Sequence, residues 1–274
     1  MATRVPEQQF VESVGPFAGL TDDLVRSCRS GRDAFSLPPG APIGKTSGYA
    51  HFCLLVGGWA YRYVTWRRIC HIVDVLLPGD IVGLPLLGGS PKLHPLRCLT
   101  EAKILALDVR AFGTWVRQCP GALDQFLQMR IEEEYRAQSR IMVLARLRPT
   151  ARLCYLILDL RERLLSRGMP ADEGFAFPLT YRQLAELVGA SRSQTAASLA
   201  ELRERGWANL KDGWISIEDA EQMLAACEFP AIGSPQADEA AWIRDDAADR
   251  RASFLLRQTE ERGKPERRAA RSYA

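Results

Sequence analysis

The sequence predicts an α+β chain in three parts: an antiparallel β barrel or sandwich, one long helix, and a helical segment closed by a small β-hairpin. Three observations predict it. Up to about Val109 the chain is dense in β-branched and aromatic residues and punctuated by Gly and Pro. The stretch from roughly Pro120 to Leu147 carries neither Gly nor Pro beyond Gly121. Between Leu179 and Ile217, two Ser/Thr-x-x-Gln signatures open apolar-periodic runs, and an Asp-Gly pair then separates two short segments.

Composition sets the limits. Of 274 residues, 47% are hydrophobic and 25% charged, average values that exclude a disordered, collagen-like or purely coiled-coil chain. The length suits one or two domains, each able to bury its own core. With 36 Lys and Arg against 33 Asp and Glu, the formal charge is +3, so any nucleic-acid footprint is local. The N-terminus, MATRVPEQQFVESVG, lacks the basic-then-apolar run of a secretory signal. The most apolar stretch, Ile72 to Leu87, is interrupted by Asp74, Pro78, Asp80 and Pro85 and is unsuited to crossing a bilayer. The seven cysteines are scattered and never in CxxC spacing, which suggests reduced thiols. A cytoplasmic protein with no membrane partner is expected.

Taken in order, Gly57–Val64 alternates with period two, as a half-buried strand does. Ile69–Leu77 reads as a second strand, stopped by Pro78-Gly79-Asp80, and a third is expected over Arg97–Leu107. Strands this short, with no helix between them, suit a barrel or sandwich. The long helix has about 26 residues, or ~39 Å at 1.5 Å per residue. On it Leu127, Glu134 and Ile141 fall on one seven-residue register, and Ile131, Gln138 and Ala145 on another. Such a pattern favours a left-handed coiled-coil pair, hence a homodimer. Because Glu134 and Gln138 are polar, an amphipathic helix packed on its own barrel stays open; polar seam residues also set register or meet a ligand. Pro149 ends this helix and opens the next, making Arg148-Pro149 a hinge. Beyond Glu228 the chain is polar and rich in Ala and Arg, a solvated tail with a short helix expected around Ala240–Arg262. The expected divisions are 1–118, 119–148, 149–227 and 228–274.

The segment LTYRQLAELVGASRSQTAASLAEL, Leu179 to Leu202, holds the most specific pattern. Thr180-Tyr-Arg-Gln183 is a capping box opening one helix, whose apolar face is Leu184, Leu187 and Val188. Gly189 supplies the turn. Ser191-Arg-Ser-Gln194 is a second capping box, opening a helix that buries Thr195, Leu199 and Leu202. Two short helices about a Gly-containing turn describe a helix-turn-helix. The hairpin that follows, Gly206–Leu210, Lys211-Asp212-Gly213, Trp214–Ile217, makes it a winged one.

On these residues the chain resembles the CRP/FNR superfamily of bacterial transcription regulators, over about residues 8–226. The resemblance rests on the PGDIVGL turn at Pro78–Leu84, the long helix and the winged segment through DGWISI. It implies an N-terminal β-roll sensor of the cupin-like, cyclic-nucleotide-binding type, a dimerisation helix and a C-terminal winged helix-turn-helix. The implied function is sequence-specific DNA binding by a homodimer on a palindromic operator, with no enzymatic activity. Implied partners are double-stranded DNA, a second copy of the chain, RNA polymerase and a small-molecule effector.

A recognition helix enters the major groove with its N-terminal residues facing base edges. Arg192 stands there, where a guanidinium takes guanine O6 and N7 together, and it matches the Arg that commonly reads guanine in the family. Family members often carry Glu one residue later and Arg near the fifth position after it; here stand Ser193 and Ala197, so the half-site should differ. Gln194 suits either adenine reading or the cap, and Ser191 the cap. Thr180, Arg182, Ser198 and Lys211 are candidates for phosphate contacts. Arg203 and Arg205 suit solvated pairs with Glu201 and Glu204 better than DNA.

For the sensor, the resemblance implies a pocket after the Gly-rich turn. A cyclic nucleotide needs a carboxylate for the ribose and an Arg-Ser pair for the phosphate. Gly83 is instead followed by Leu84, and Lys92 and Leu93 stand near the Arg and Ser places. Leu accepts no hydrogen bond and Lys lacks the planar fork, so standard cAMP binding is not expected. Gln138 completes the candidate pocket. No N-terminal cysteine cluster suits an iron–sulfur version, and a haem version would want a His at a defined spot after the PGD turn, where Leu and Pro stand. A different reading uses His51, His71 and His94 with Cys53, Cys70 and Cys98 as a metal- or thiol-dependent sensor or enzyme. Their spacing matches no standard site, and no cofactor is expected.

Overall fold

In the N-terminal half, two antiparallel sheets pack on one core. One has five strands in the order β1-β2-β9-β4-β7: β1 Thr3–Arg4, β2 Ala34–Leu37, β4 Phe52–Gly57, β7 Ile81–Val82 and β9 Ala102–Leu107. The other has the order β3-β8-β5-β6: β3 Pro42–Ile43, β5 Ala60–Trp66, β6 Ile69–Leu76 and β8 Leu96–Cys98. Leu37, Cys53, Leu55, Val82 and Ile104 from the first meet Ile43, Ala60, Leu76 and Cys98 from the second, all buried. This computed structural model describes residues 3–4, 34–43, 52–83, 94–107, 109–118 and 121–227. Met1–Phe229 form one unit and Pro230–Ala274 another. The helix expected around Ala240–Arg262 lies outside the described residues.

Two sequence expectations need correction, for one reason. The alternation over Gly57–Val64 is not one strand: β4 ends at Gly57 and β5 begins at Ala60 in the other sheet. Arg97–Leu107 likewise splits into β8 and β9, again one per sheet. The chain crosses between sheets at both places, and the two corners bind each other. Trp59 N–H donates to Thr100 Oγ1 at 2.9 Å, and Leu99 N–H donates to Trp59 C=O at 2.7 Å. Gly58 is required here, because at φ 76° a Cβ would lie 2.0 Å from the Glu101 carbonyl oxygen.

A short helix not anticipated from sequence, α1 (Val109–Gln118), leads into the long helix α2 (Ala122–Arg146, 25 residues). Phe112 of α1 meets Phe126 of α2 edge-on at 5.3 Å. As expected, Pro149 is the first residue of α3 (Pro149–Leu165). Then come β10 (Gly174–Ala176), α4 (Tyr181–Val188), α5 (Arg192–Glu204), β11 (Ala208–Lys211), β12 (Trp214–Ile217) and α6 (Ala220–Cys227). The three strands pair in the order β10-β12-β11. Lys211 opposes Trp214 across a two-residue turn, Asp212 and Gly213 at φ 52° and 76°, the left-handed pair a type I′ hairpin demands. The core beneath joins Leu153, Ile157 and Leu160 of α3 to Leu184, Leu202, Phe177 and Ile215.

The sensor and the C-terminal segment are tied at several points. Trp59 stacks on Phe175 at 6.2 Å, and His71 Nδ1 lies 3.0 Å from Glu186 Oε2. Asp80, ending the PGD turn, accepts from Leu77 N–H at 2.8 Å, Arg163 at 2.8 Å and Arg167 at 2.6 Å. Burial alone would raise its pKa, but Arg167 and then Arg163 outweigh it and hold the carboxyl well below the ordinary range. A carboxyl depressed in the folded state stabilises above its unfolded pKa and loses that contribution as pH falls. Urea midpoints should therefore start to drop below about pH 4, with a shallower acid slope in Asp80→Asn.

Candidate nucleic-acid interface

Both capping boxes form. Ser191 Oγ accepts from Gln194 N–H at 3.2 Å, while Gln194 Oε1 accepts from Ser191 N–H at 2.9 Å. Thr180 Oγ1 accepts from Gln183 N–H at 3.3 Å, and Gln183 Oε1 accepts from Thr180 N–H at 2.8 Å. Gly189 ends α4 at φ 61°, in the left-handed conformation that lets the chain turn directly into α5. The carbonyls at that end take Arg140 (to Leu187, 3.3 Å) and Arg152 (to Val188 and Gly189, 3.2 and 3.0 Å).

The start of α5 faces solvent. Arg192 is its first residue and is exposed, with Ser193, Ala196 and Ala197 following on the open side. Thr195, Leu199 and Leu202 are buried, as their spacing suggests. Ser193 Oγ lies 3.0 Å from Ser191 Oγ. Bidentate adenine reading needs the amide oxygen of Gln194, and here that oxygen serves the cap.

One phosphate candidate is corrected. Ser198 is only 4% exposed, packed against α3 with its Oγ 3.1 Å from Thr150 Oγ1. Thr150 also donates to Glu201 Oε2 at 2.7 Å, so this pair fastens α5 to α3 and cannot reach a phosphate. Thr180, Arg182 and Lys211 are exposed. Thr180 and Arg182 also line a cleft of about 510 Å³ against the β5–β6 hairpin, opposite Tyr61, Tyr63 and Cys70. Arg205 pairs with Glu201 at 2.8 Å and lies over Trp207 at 4.7 Å, in keeping with a solvated pair.

Two exposed aromatics at this surface went unread in the sequence: Tyr181, first in α4 and 52% exposed, and Trp214, beside the wing turn and 53% exposed. Tyr181 stands three and seven residues before Leu184 and Val188, a spacing that hides it among core positions. Its place directly after an N-cap was the usable signal.

Along α2, Leu127 (47% exposed), Ile131 (60%) and Ile141 (68%) lie open, with Glu134, Gln138 and Ala145 exposed beside them. The alternative of a helix packing this face on its own barrel is therefore set aside. What α2 buries against its own chain is Ala122 at its start and, on another side, Ser139 and Val143. Gln138 is on the open face, donating to Glu134 Oε1 at 3.3 Å, rather than in a pocket. Gly83 is the last described residue before the effector segment; Leu84, Lys92 and Leu93 lie outside the described residues.

Among the described residues, the His and Cys of the N-terminal half do not gather into one site. His51 is outside the described residues, and His71 is engaged with Glu186. Cys53 and Cys98 are buried in the sensor core, their thiols pushed up by burial to about 12 and about 11. Among the described residues no three His, Cys, Asp or Glu are grouped to hold a metal ion. No described helix is long and apolar enough to cross a membrane.

The fold and surface define a winged helix-turn-helix DNA-binding regulator joined to a cyclic-nucleotide-binding-like domain. A family model described as a Crp-like helix-turn-helix domain matches residues 151–226. A CRP-like cAMP-activated global transcriptional regulator of Mycobacterium tuberculosis is 25% identical over 158 residues, 56% of this chain and 68% of that protein. The regulatory protein CysR of Synechococcus elongatus is 28% identical over 178 residues, 62% and 78% of the two. Among solved structures, FixK2 from Bradyrhizobium japonicum aligns with TM-score 0.62 at 15% identity, over 73% of this chain and all of its own. A CRP/FNR-family regulator from Thermus thermophilus aligns with TM-score 0.55 at 19% identity, over 72% and 98%. Residues 151–226 thus match a Crp-like helix-turn-helix domain, and over more than half its length the chain is similar to transcription regulators of the CRP/FNR type.

The cap itself is testable. Ser191→Ala removes the acceptor for Gln194 N–H and should cost about 1 kcal/mol in denaturant unfolding. Operator affinity should fall with it, because the cap sets how α5 presents Arg192.

Proposed function

We propose that the chain acts in the cytoplasm as a homodimer, placing two copies of α5 in successive major-groove faces of a palindromic operator. The observation that carries this is the capped, solvent-facing start of α5 with Arg192 at its first position. Arg192 takes a guanine in each half-site; Ser193 and Ala197 leave the neighbouring positions to weaker contacts, so the half-site is this protein's own. Thr180, Tyr181, Arg182 and Lys211 hold the phosphates and set register without choosing sequence. Two-fold symmetry puts the half-sites about one helical turn apart.

The chain regulates by occupancy of DNA and by contact with RNA polymerase there, not by a reaction of its own. With Leu84 and Lys92 in place of a carboxylate and an Arg fork, its effector is a small molecule other than a cyclic nucleotide, or there is none. Selection from random duplex DNA with the purified protein and no added ligand tests the reading. A recovered palindrome with a guanine under Arg192 supports it. Recovery of nothing at both low and physiological salt overturns DNA binding without an effector.

A further inference from the structure

Asp80 is where the sensor grips the DNA-binding segment. Both of its carboxylate oxygens are occupied by arginines 83 and 87 residues away in sequence. The same arginines reach the backbone that leads into it: Arg163 donates to Val75 C=O at 3.0 Å and Arg167 to Pro78 C=O at 2.6 Å. Gly79, at φ 96°, allows the approach, since a Cβ there would meet Arg167 Cδ at 3.3 Å. Asp159 backs Arg163 from one turn earlier at 3.6 Å.

The far end of α3 holds the recognition helix, through Thr150 to Glu201 and Ser198. Between Thr150 and Arg163 lie ~20 Å of continuous helix. One rigid rod therefore has the PGD turn at one end and α5 at the other. An apolar contact of the same size stabilises as well as a buried ion pair, but only directional bonds fix one orientation. Here four such bonds meet at one turn, and Trp59–Phe175 and His71–Glu186 add two further points that resist rotation.

We propose that Asp80, acting through Arg163 and Arg167, is the positioning residue that holds the recognition helix in register with the sensor for operator binding. The inference rests on the DNA-binding reading above. Loss of the clamp leaves α5 intact but free to swing, so specific binding falls while binding to phosphates alone does not.

The test compares full-length protein with Arg167→Gln, Asp80→Asn and the double variant. Each is titrated with the selected operator and with a scrambled duplex of equal length over a salt series. We expect at least a tenfold loss on the operator, an unchanged scrambled-duplex affinity and salt slope, and a double variant no worse than Asp80→Asn alone. Folded variants that keep the operator-to-scrambled ratio would overturn the proposal, as would equal losses on both duplexes. If Asp80→Asn does not fold, Arg167→Gln decides, because it leaves the Asp80–Arg163 pair in place. Hydrogen exchange without DNA separates this inference from the reading beneath it. Faster exchange over β6 and α4 in the variants supports the clamp even if no operator is found, and unchanged exchange sinks it.

Discussion

Arg192→Ala should weaken the operator complex by about 1–3 kcal/mol per half-site, roughly ten- to a hundredfold each, and relax discrimination at one guanine. The side chain is exposed at the first position of α5, while the cap is made by Ser191 and Gln194, so the fold should be untouched. Unfolding midpoints of the variant should match those of the unmodified protein. Arg192→Lys separates charge from geometry: it keeps a positive charge near the phosphates but loses the planar fork that spans O6 and N7. We expect Lys to restore non-specific affinity and its salt dependence, and to leave the guanine preference lost. A specific complex indifferent to both changes would falsify the assignment of Arg192 as the base reader.

Much of this surface was legible in the sequence because its determinants are local. A capping box needs residues three apart, and a type I′ hairpin needs two neighbours of positive φ, so Thr180, Ser191, Gly189 and Asp212-Gly213 announce themselves. The sensor strands were less legible. Period-two alternation runs through Gly57-Gly58-Trp59 although the chain leaves one sheet there for the other, and nothing local marks the Glu101 carbonyl that makes the corner. Ser198 was readable in hindsight: Thr195, Ser198, Leu199 and Leu202 fall at i, i+3, i+4 and i+7, a core stripe. Its hydroxyl suggested a phosphate, and the position outweighs the side-chain type. Asp80, Arg163 and Arg167 gave no sign of one another, since a buried ion pair across more than 80 residues has no spacing to read.

The larger effect is expected from the α2 seam, where Ile131→Glu with Ile141→Glu should convert the dimer to monomer and abolish operator binding together. Both side chains are already open to solvent in the single chain, so Glu should cost the protomer little and helical content should be kept. In a dimer each Ile, once covered, contributes about 1.5–3 kcal/mol, and there are four of them. Their replacement sets like charges against each other in an apolar seam with no partner to neutralise them. Between them Glu134 and Gln138 bond to each other along the helix at 3.3 Å, a polar pair that in a dimer would set register at a cost in stability. DNA binding follows because the two half-sites are read by one linked object. Without the linkage the second recognition helix no longer arrives at the millimolar effective concentration a tether provides, and affinity falls by two or more orders of magnitude. Light scattering on the unmodified and doubly substituted proteins, with operator titration of the same samples, checks this. Either a monomeric unmodified protein or a monomeric variant that binds the palindrome at full strength would show that α2 is not the dimer seam on which operator reading depends.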